Sequence, residues 1–238
     1  KSSKIMKVVI LAGGLGTRIS EYTQSIPKPM IEVNKVPILI HIMEHFARFG
    51  FNDFYIATGY KGEIIKKYFK NKNFNKWKIN VISTGKNVMT GGRLKRLEKK
   101  LGDTNDFFLT YGDGLSNINL ENLLKFHRRH NKIATISAVR PPARFGFIKL
   151  KKNKVDCFRE KSSLDEGWIN GGFMVLNKKI FKYLKGDQTY LERYPLEKLS
   201  DKGELYAFKH DGFWQCMDTL RDKEILEKSI KQKKHLAK

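Results

Sequence analysis

The run Lys7-Val-Val-Ile-Leu-Ala12 passes directly into Gly13-Gly-Leu-Gly-Thr-Arg18, and this junction limits what the chain can fold into. A short β-branched run with no polar alternation suits a strand covered on both faces. Strands of that kind pair in parallel, and a parallel neighbour is reached only through a long crossover, usually a helix. The following sequence has that rhythm. Ile38, Ile42, Phe46 and Phe49 recur at helical spacing between Lys35 and Gly50, and Gly50 supplies a left-handed stop. Asp53–Thr58 then reads as a strand and Glu63–Phe69 as a helix. Ile79–Ser83 is the next strand, and Leu94, Leu97 and Leu101 line one helix face. Asp106–Tyr111, Leu120–Arg129 and Ala134–Val139 continue as strand, helix and strand. Repeated strand-then-helix units predict a doubly wound α/β sheet with its site in the loops at the carboxyl strand ends.

From Phe145 onward the pattern becomes β-richer, with short strands expected at Gly146–Leu150, Val155–Glu160, Trp168–Leu176, Leu205–Lys209 and Phe213–Met217. Helices are expected at Tyr190–Ser200 and Leu220–Lys233. No Pro/Gly/Ser-rich linker divides the 238 residues, so one continuous domain is expected over 1–238. No apolar run approaches the ~18–20 residues that cross a bilayer, and no membrane partner is expected. Cys157 and Cys216 are too few for a disulfide framework and lack zinc-ligand spacing, which points to a reducing, cytoplasmic setting. The 47 Lys and Arg against 24 Asp and Glu leave a net charge of +23, a field that attracts polyanions or phosphorylated metabolites. The lysines are scattered and form no basic stripe, so no nucleic-acid partner is expected.

The chemistry concentrates in a few places. Without Cβ atoms, Gly13, Gly14 and Gly16 let the backbone turn tightly and aim N–H groups at phosphate oxygens, with Arg18 adding charge. Ile19 stands where a dinucleotide-binding loop needs glycine, and no Gly-Lys-Ser/Thr follows Gly13, so neither common phosphate loop is present. Pro27-Lys28-Pro29-Met30 holds a lysine between two φ-restricted residues, which fixes where its ammonium sits. Asp113 and Asp218 stand at strand ends, where each could be a turn or helix-capping residue. If the sheet brings both carboxylates to one edge, they suit Mg²⁺ that also takes phosphate oxygens.

These blocks together resemble the sugar-1-phosphate nucleotidylyltransferases. The likeness is carried by Leu11-Ala-Gly-Gly-Leu-Gly-Thr-Arg18, Pro-Lys28-Pro-Met, Met89-Thr-Gly-Gly-Arg93, Tyr-Gly112-Asp113-Gly, Arg144-Phe-Gly146, Glu160-Lys161, Trp-Ile-Asn170-Gly171-Gly and Trp-Gln-Cys-Met-Asp218. It is strongest toward the family's cytidylyltransferase branch. The resemblance implies a Rossmann-like, mostly parallel mixed sheet flanked by helices, with a nucleotide-binding half over 1–140 and a sugar-binding half with a C-terminal helix over 141–238. It further implies Mg²⁺ dependence, transfer of a cytidylyl group from CTP to α-D-glucose 1-phosphate, a homo-oligomer, and a place in surface-polysaccharide synthesis. Carried over by position, Leu11, Gly13, Gly14, Thr17, Thr90, Gly92, Arg93, Gly112 and Asp113 contact the nucleotide. Arg18 and Lys28 hold its triphosphate, and Lys161 takes the attacking sugar phosphate. Gly146, Glu160, Asn170 and Gly171 meet the sugar, and Asp113 and Asp218 take the metal. The resemblance also implies a longer, His-containing stretch where Tyr68 to Val88 stands, and this chain lacks it.

Overall fold

In the computed structural model, residues 6–141, 147–159 and 167–235 are described. A seven-stranded sheet holds the molecule together. Its first-half strands are β1 (Lys7–Ala12), β4 (Asp53–Thr58), β5 (Lys78–Ser83), β6 (Asp106–Tyr111) and β8 (Ala134–Val139), and its second-half strands are β11 (Ile169–Asn177) and β12 (Leu205–His210). The order is β12-β8-β11-β6-β1-β4-β5. β1 runs parallel to β4 and β6, β4 to β5, and β12 to β8, whereas β11 is antiparallel to both β6 and β8. The fold is the mostly parallel mixed α/β sheet that the sequence predicts. The β-rich second half does not form a layer of its own: β11 is inserted between strands of the first half.

Side-chain alternation assigns the two faces. Val8 and Ile10 of β1, Phe54 and Ile56 of β4 and Phe108 of β6 pack on one side beneath α2 (Ile38–Arg48), α3 (Gly62–Asn71), α6 (Leu120–His130) and α8 (Leu220–Lys231). Val9, Leu11, Tyr55, Ala57, Phe107 and Leu109 face the other way, against α4 (Thr90–Arg96), α5 (Glu98–Leu101) and α7 (Tyr194–Asp201). Successive strand residues point to opposite faces, so a continuous apolar run is the signature of a strand with helices on both sides. Leu94, Leu97 and Leu101 are all buried, but the helix they were expected to share breaks at Leu97 into α4 and α5. Gly50 ends the stretch after α2 with φ +79°, and its N–H donates to the Ala47 carbonyl.

Several of the remaining pieces frame the carboxyl ends of β1 and β6. A short helix α1 (Ser20–Thr23), a 3₁₀ turn at Lys28–Met30 and the hairpin β2 (Glu32–Val33) and β3 (Val36–Pro37) fill the connection from β1 to α2. β7 (Gly114–Ser116) pairs antiparallel with β13 (Trp214–Cys216), while β9 (Phe147–Lys151) and β10 (Lys154–Arg159) form a separate hairpin. Among the described residues no helix is long and apolar enough to cross a membrane.

Candidate active site

The two aspartates meet because β13 pairs with β7. Cys216 lies opposite Gly114 in that ladder, and the Met217 N–H donates to the Asp113 carbonyl at 2.8 Å. This places Asp218 beside Asp113 although one follows β6 and the other precedes α8. The Lys28 ammonium stands between them, 2.6 Å from Asp113 Oδ2 and 2.7 Å from Asp218 Oδ1. Arg18 reaches the other oxygen of Asp218 at 2.9 Å from a side chain that is 73% exposed. Burial opposes a charge on Lys28, but the two carboxylates outweigh it and raise the ammonium above its ordinary value. For Asp218 burial likewise favours the neutral form, yet Lys28 and Arg18 outweigh it and hold the carboxyl below its usual range. Both prolines contribute: Pro27 at φ −70° leads into the 3₁₀ turn and Pro29 lies in its first positions, so the Lys28 side chain starts from a fixed backbone.

The glycine loop bends around this ion cluster. Gly16 has φ +65°, a left-handed conformation that glycine adopts without strain, and the Thr23 hydroxyl ties down its carbonyl at 3.0 Å. Gly13 is held from behind by Arg93. That guanidinium is 4% exposed and donates to the carbonyls of Gly13, Thr58, Gly85 and Lys86 and to the Thr84 hydroxyl, which joins the loops after β1, β4 and β5. A Cβ on Gly13 would lie 2.3 Å from the guanidinium carbon. Gly112 is pressed as closely: its N–H donates to the Leu11 carbonyl at 3.0 Å, and a Cβ there would meet Pro29 at 2.9 Å.

On the opposite wall α4 begins at Thr90, and the loop before α7 packs across its start. The Gly92 N–H donates to the Thr189 carbonyl at 3.1 Å and the Met89 N–H to the Asp187 carbonyl at 2.8 Å. A Cβ on Gly92 would lie 2.4 Å from the Asp187 oxygen, so this glycine admits protein backbone. Glu192 from the same loop accepts from the Thr90 hydroxyl at 2.6 Å and from the Tyr111 hydroxyl. In β11 the register against β8 shifts between Asn170 and Met174, a bulge that turns Gly172 to φ +80° beneath the Tyr111 ring. Asn170 Oδ1 accepts from the Gly172 N–H at 2.9 Å, and the Gly171 carbonyl accepts from the Trp214 indole at 2.7 Å.

These walls enclose a cavity of about 570 Å³. Leu11, Gly13, Gly14, Thr17 and Arg18 line it from the glycine loop. Lys28, Gly112, Asp113 and Asp218 form its ionic floor, and Thr90, Arg93 and Asn170 complete the sides. Gly171 lines an adjoining recess, and Gly92 lines neither space. Gly146, Glu160 and Lys161 lie outside the described residues. Tyr111, Tyr190 and Cys216 also line the cavity and escaped the sequence reading. Tyr111 is signalled only as the last residue of its strand, and Tyr190 sits in a segment that tertiary packing alone brings here. Burial and the surrounding carboxylates push the Cys216 thiol up to about 12, so it stands in the cavity as a neutral group at physiological pH.

Cations, carboxylates and glycine backbone gathered at the carboxyl ends of parallel strands are equipped for chemistry on phosphate esters. The profile described as Nucleotidyl transferase matches residues 7–222, and the chain belongs to that family. It is 44% identical over 243 aligned residues to glucose-1-phosphate cytidylyltransferase of Salmonella typhimurium, covering 93% of this chain and 95% of that one. A mannose-1-phosphate guanyltransferase of Aspergillus fumigatus is 32% identical over 93% of this chain and 62% of its own length. Among solved structures, HddC from Yersinia pseudotuberculosis superposes with a TM-score of 0.76 at 26% identity, covering 94% of this chain and 99% of that one.

Proposed function

We propose that this chain transfers a cytidylyl group from CTP to α-D-glucose 1-phosphate, forming CDP-glucose and pyrophosphate. The observation that carries the reading is the 44% identity to the Salmonella cytidylyltransferase across nearly the full length of both chains. The site's chemistry agrees with it. A phosphate oxygen of the sugar phosphate attacks the α-phosphorus of CTP, a new P–O bond forms, and the bond to the β-phosphate oxygen breaks in line. No enzyme nucleophile is required, so the chain's task is to align two polyanions and neutralise their charge. Arg18 and Lys28 face the triphosphate from the cavity floor. Lys161 takes the attacking phosphate, with Gly146, Glu160, Asn170 and Gly171 on the sugar hydroxyls. The backbone of Gly13, Gly14 and Gly112, with Leu11, Thr17 and Thr90, forms the nucleotide wall, and Arg93 fixes the loops that carry it.

Asp113 and Asp218 fit Mg²⁺, because the Lys28 ammonium already draws one oxygen from each onto a single cationic point. Hard carboxylate oxygens are the ligands that ion prefers, and among the described residues no cluster of three or more His, Cys, Asp or Glu competes as a metal site. Bound there, Mg²⁺ supplies further neutralisation of the phosphates. Residues 1–140 serve as the nucleotide half and 141–238 as the sugar half of one unit, which we place in the cytoplasm as a homo-oligomer feeding polysaccharide synthesis.

The test is a pyrophosphate-release assay crossing four nucleoside triphosphates with several hexose 1-phosphates in the presence of Mg²⁺. The highest kcat/KM is expected for CTP with glucose 1-phosphate. A different best pair keeps the reaction class and overturns the substrate assignment, as the mannose-1-phosphate guanyltransferase relative makes worth checking. Absence of turnover with every pair overturns the activity.

A further inference from the structure

The reaction assigned above uses the ion cluster and the glycine loop, but Glu192 lies outside both and still reaches both walls of the cavity. One carboxylate oxygen accepts from the Thr90 hydroxyl at 2.6 Å, and the other accepts from the Tyr111 hydroxyl. Thr90 opens α4 on the nucleotide wall and accepts in turn from the Leu191 N–H at 2.9 Å, which closes a tight loop between α4 and the Glu192 segment. Tyr111 belongs to the opposite wall. Its ring covers Gly172 so closely that a Cβ there would lie 2.7 Å away, and its backbone runs directly into Gly112-Asp113. One carboxylate therefore spans the nucleotide wall, the sugar-side bulge and the loop that carries the metal-binding aspartate.

We propose that Glu192 is a positioning residue that sets the separation and angle of the two half-sites by holding Thr90 and Tyr111 at once. The inference rests on the nucleotidyl-transfer reading. In-line displacement requires attacking and leaving oxygens to be aligned, and a misplacement of about 1 Å between bound partners costs about a hundredfold in rate. A residue that joins the two walls acts mainly on alignment and so on kcat. A residue of one wall alone acts on the KM of one substrate.

The experiment compares wild-type chain with Glu192→Ala, Glu192→Gln, Tyr111→Phe and the double variant Glu192→Ala/Tyr111→Phe, using whichever nucleotide and sugar phosphate the wild type turns over fastest. A wrong base or sugar is thereby exposed in the wild-type grid, and a wrong role for Glu192 only among the variants. Glu192→Ala is expected to lower kcat at least about tenfold, with each KM changed less than about threefold and the melting temperature held within a few degrees. Glu192→Gln is expected to recover most of kcat, because its amide still meets both hydroxyls, one as acceptor and one as donor. The double variant is expected to be no slower than Glu192→Ala alone, since both changes cut the same link. Wild-type kcat in Glu192→Ala overturns the proposal. So does a loss that Gln does not recover, a loss that falls wholly on one KM, or additive losses in the double variant.

Discussion

At the residue scale the site depends on one nitrogen, Lys28 Nζ, which compensates two carboxylates that the fold holds side by side. The Lys28 side chain is 11% exposed and that of Asp218 14%, so their attraction is weakly screened, whereas Asp113 at 30% keeps some access to water. Lys28→Met keeps the length of the side chain and removes the charge. It is expected to destabilise the metal-free protein by about 3 kcal/mol, the lower end for breaking a buried ion pair because Asp113 is partly hydrated and Arg18 still pairs with Asp218. A divalent cation can take the vacated role, so added Mg²⁺ is expected to raise the melting temperature of the variant more than that of the wild type. Equal Mg²⁺-induced shifts in the two proteins would show that the carboxylates do not share a cation site. Lys28 was legible in the sequence because flanking prolines mark a pre-positioned side chain. Its position between Asp113 and Asp218 was not legible, since local sequence does not encode which distant carboxylates a strand pairing delivers.

At the element scale the glycines divide into those that admit protein and those that face open space. The family resemblance treats Gly14 and Gly92 alike, as glycines that contact the nucleotide, one in the loop after β1 and the other at the opening of a helix. In the fold Gly92 carries the backbone of residues 187–189 against α4, and a Cβ there would lie 2.4 Å from the Asp187 oxygen. Gly14 has no heavy atom within 4 Å of such a Cβ. Gly92→Ala is therefore expected to cost about 2 kcal/mol through forced separation of two backbones, seen as a melting temperature lower by roughly 4–8 °C. Gly14→Ala is expected to melt within about 1 °C of wild type and to weaken nucleotide binding, because the added methyl projects into the cavity mouth. Reversal of that order would remove the segment from the wall of the site. Most strands and helices were readable from periodicity, β1, β4, β6 and β8 to the residue. The break of α4 from α5 and the β2–β3 hairpin were not, because both are settled by packing and not by apolar spacing.

At the scale of the whole molecule, stability joins the sheet to its helices through buried groups that ionise in place only at low pH. His45 of α2 is fully buried among Phe46, Phe49 and Phe173, the last of these in β11 just past the bulge. Burial first, and then the charge of Arg48 with His235 and His210 nearby, lower its pKa from 6.5 to about 3. His235, packed edge-on to His41, is lowered to about 4 mainly by burial and by Arg48. Nothing in the sequence announced this: a histidine on an apolar helix face looks the same whether its ring is dry or hydrated. The unfolded chain binds a proton at His45 below pH 6.5, and the native chain does not until about pH 3. Stability is therefore fully present above 6.5 and declines as the pH falls, by about 1.4 kcal/mol per pH unit for one such group. His45→Leu removes that proton uptake and suits the aromatic surroundings. Urea midpoints measured from pH 7.5 down to pH 4 are expected to fall less steeply for this variant than for the wild type, with the gap opening below pH 6.5. Parallel curves would mean that His45 takes up its proton as readily in the fold as in the unfolded chain, and the packing of α2 on β11 would then have to admit water.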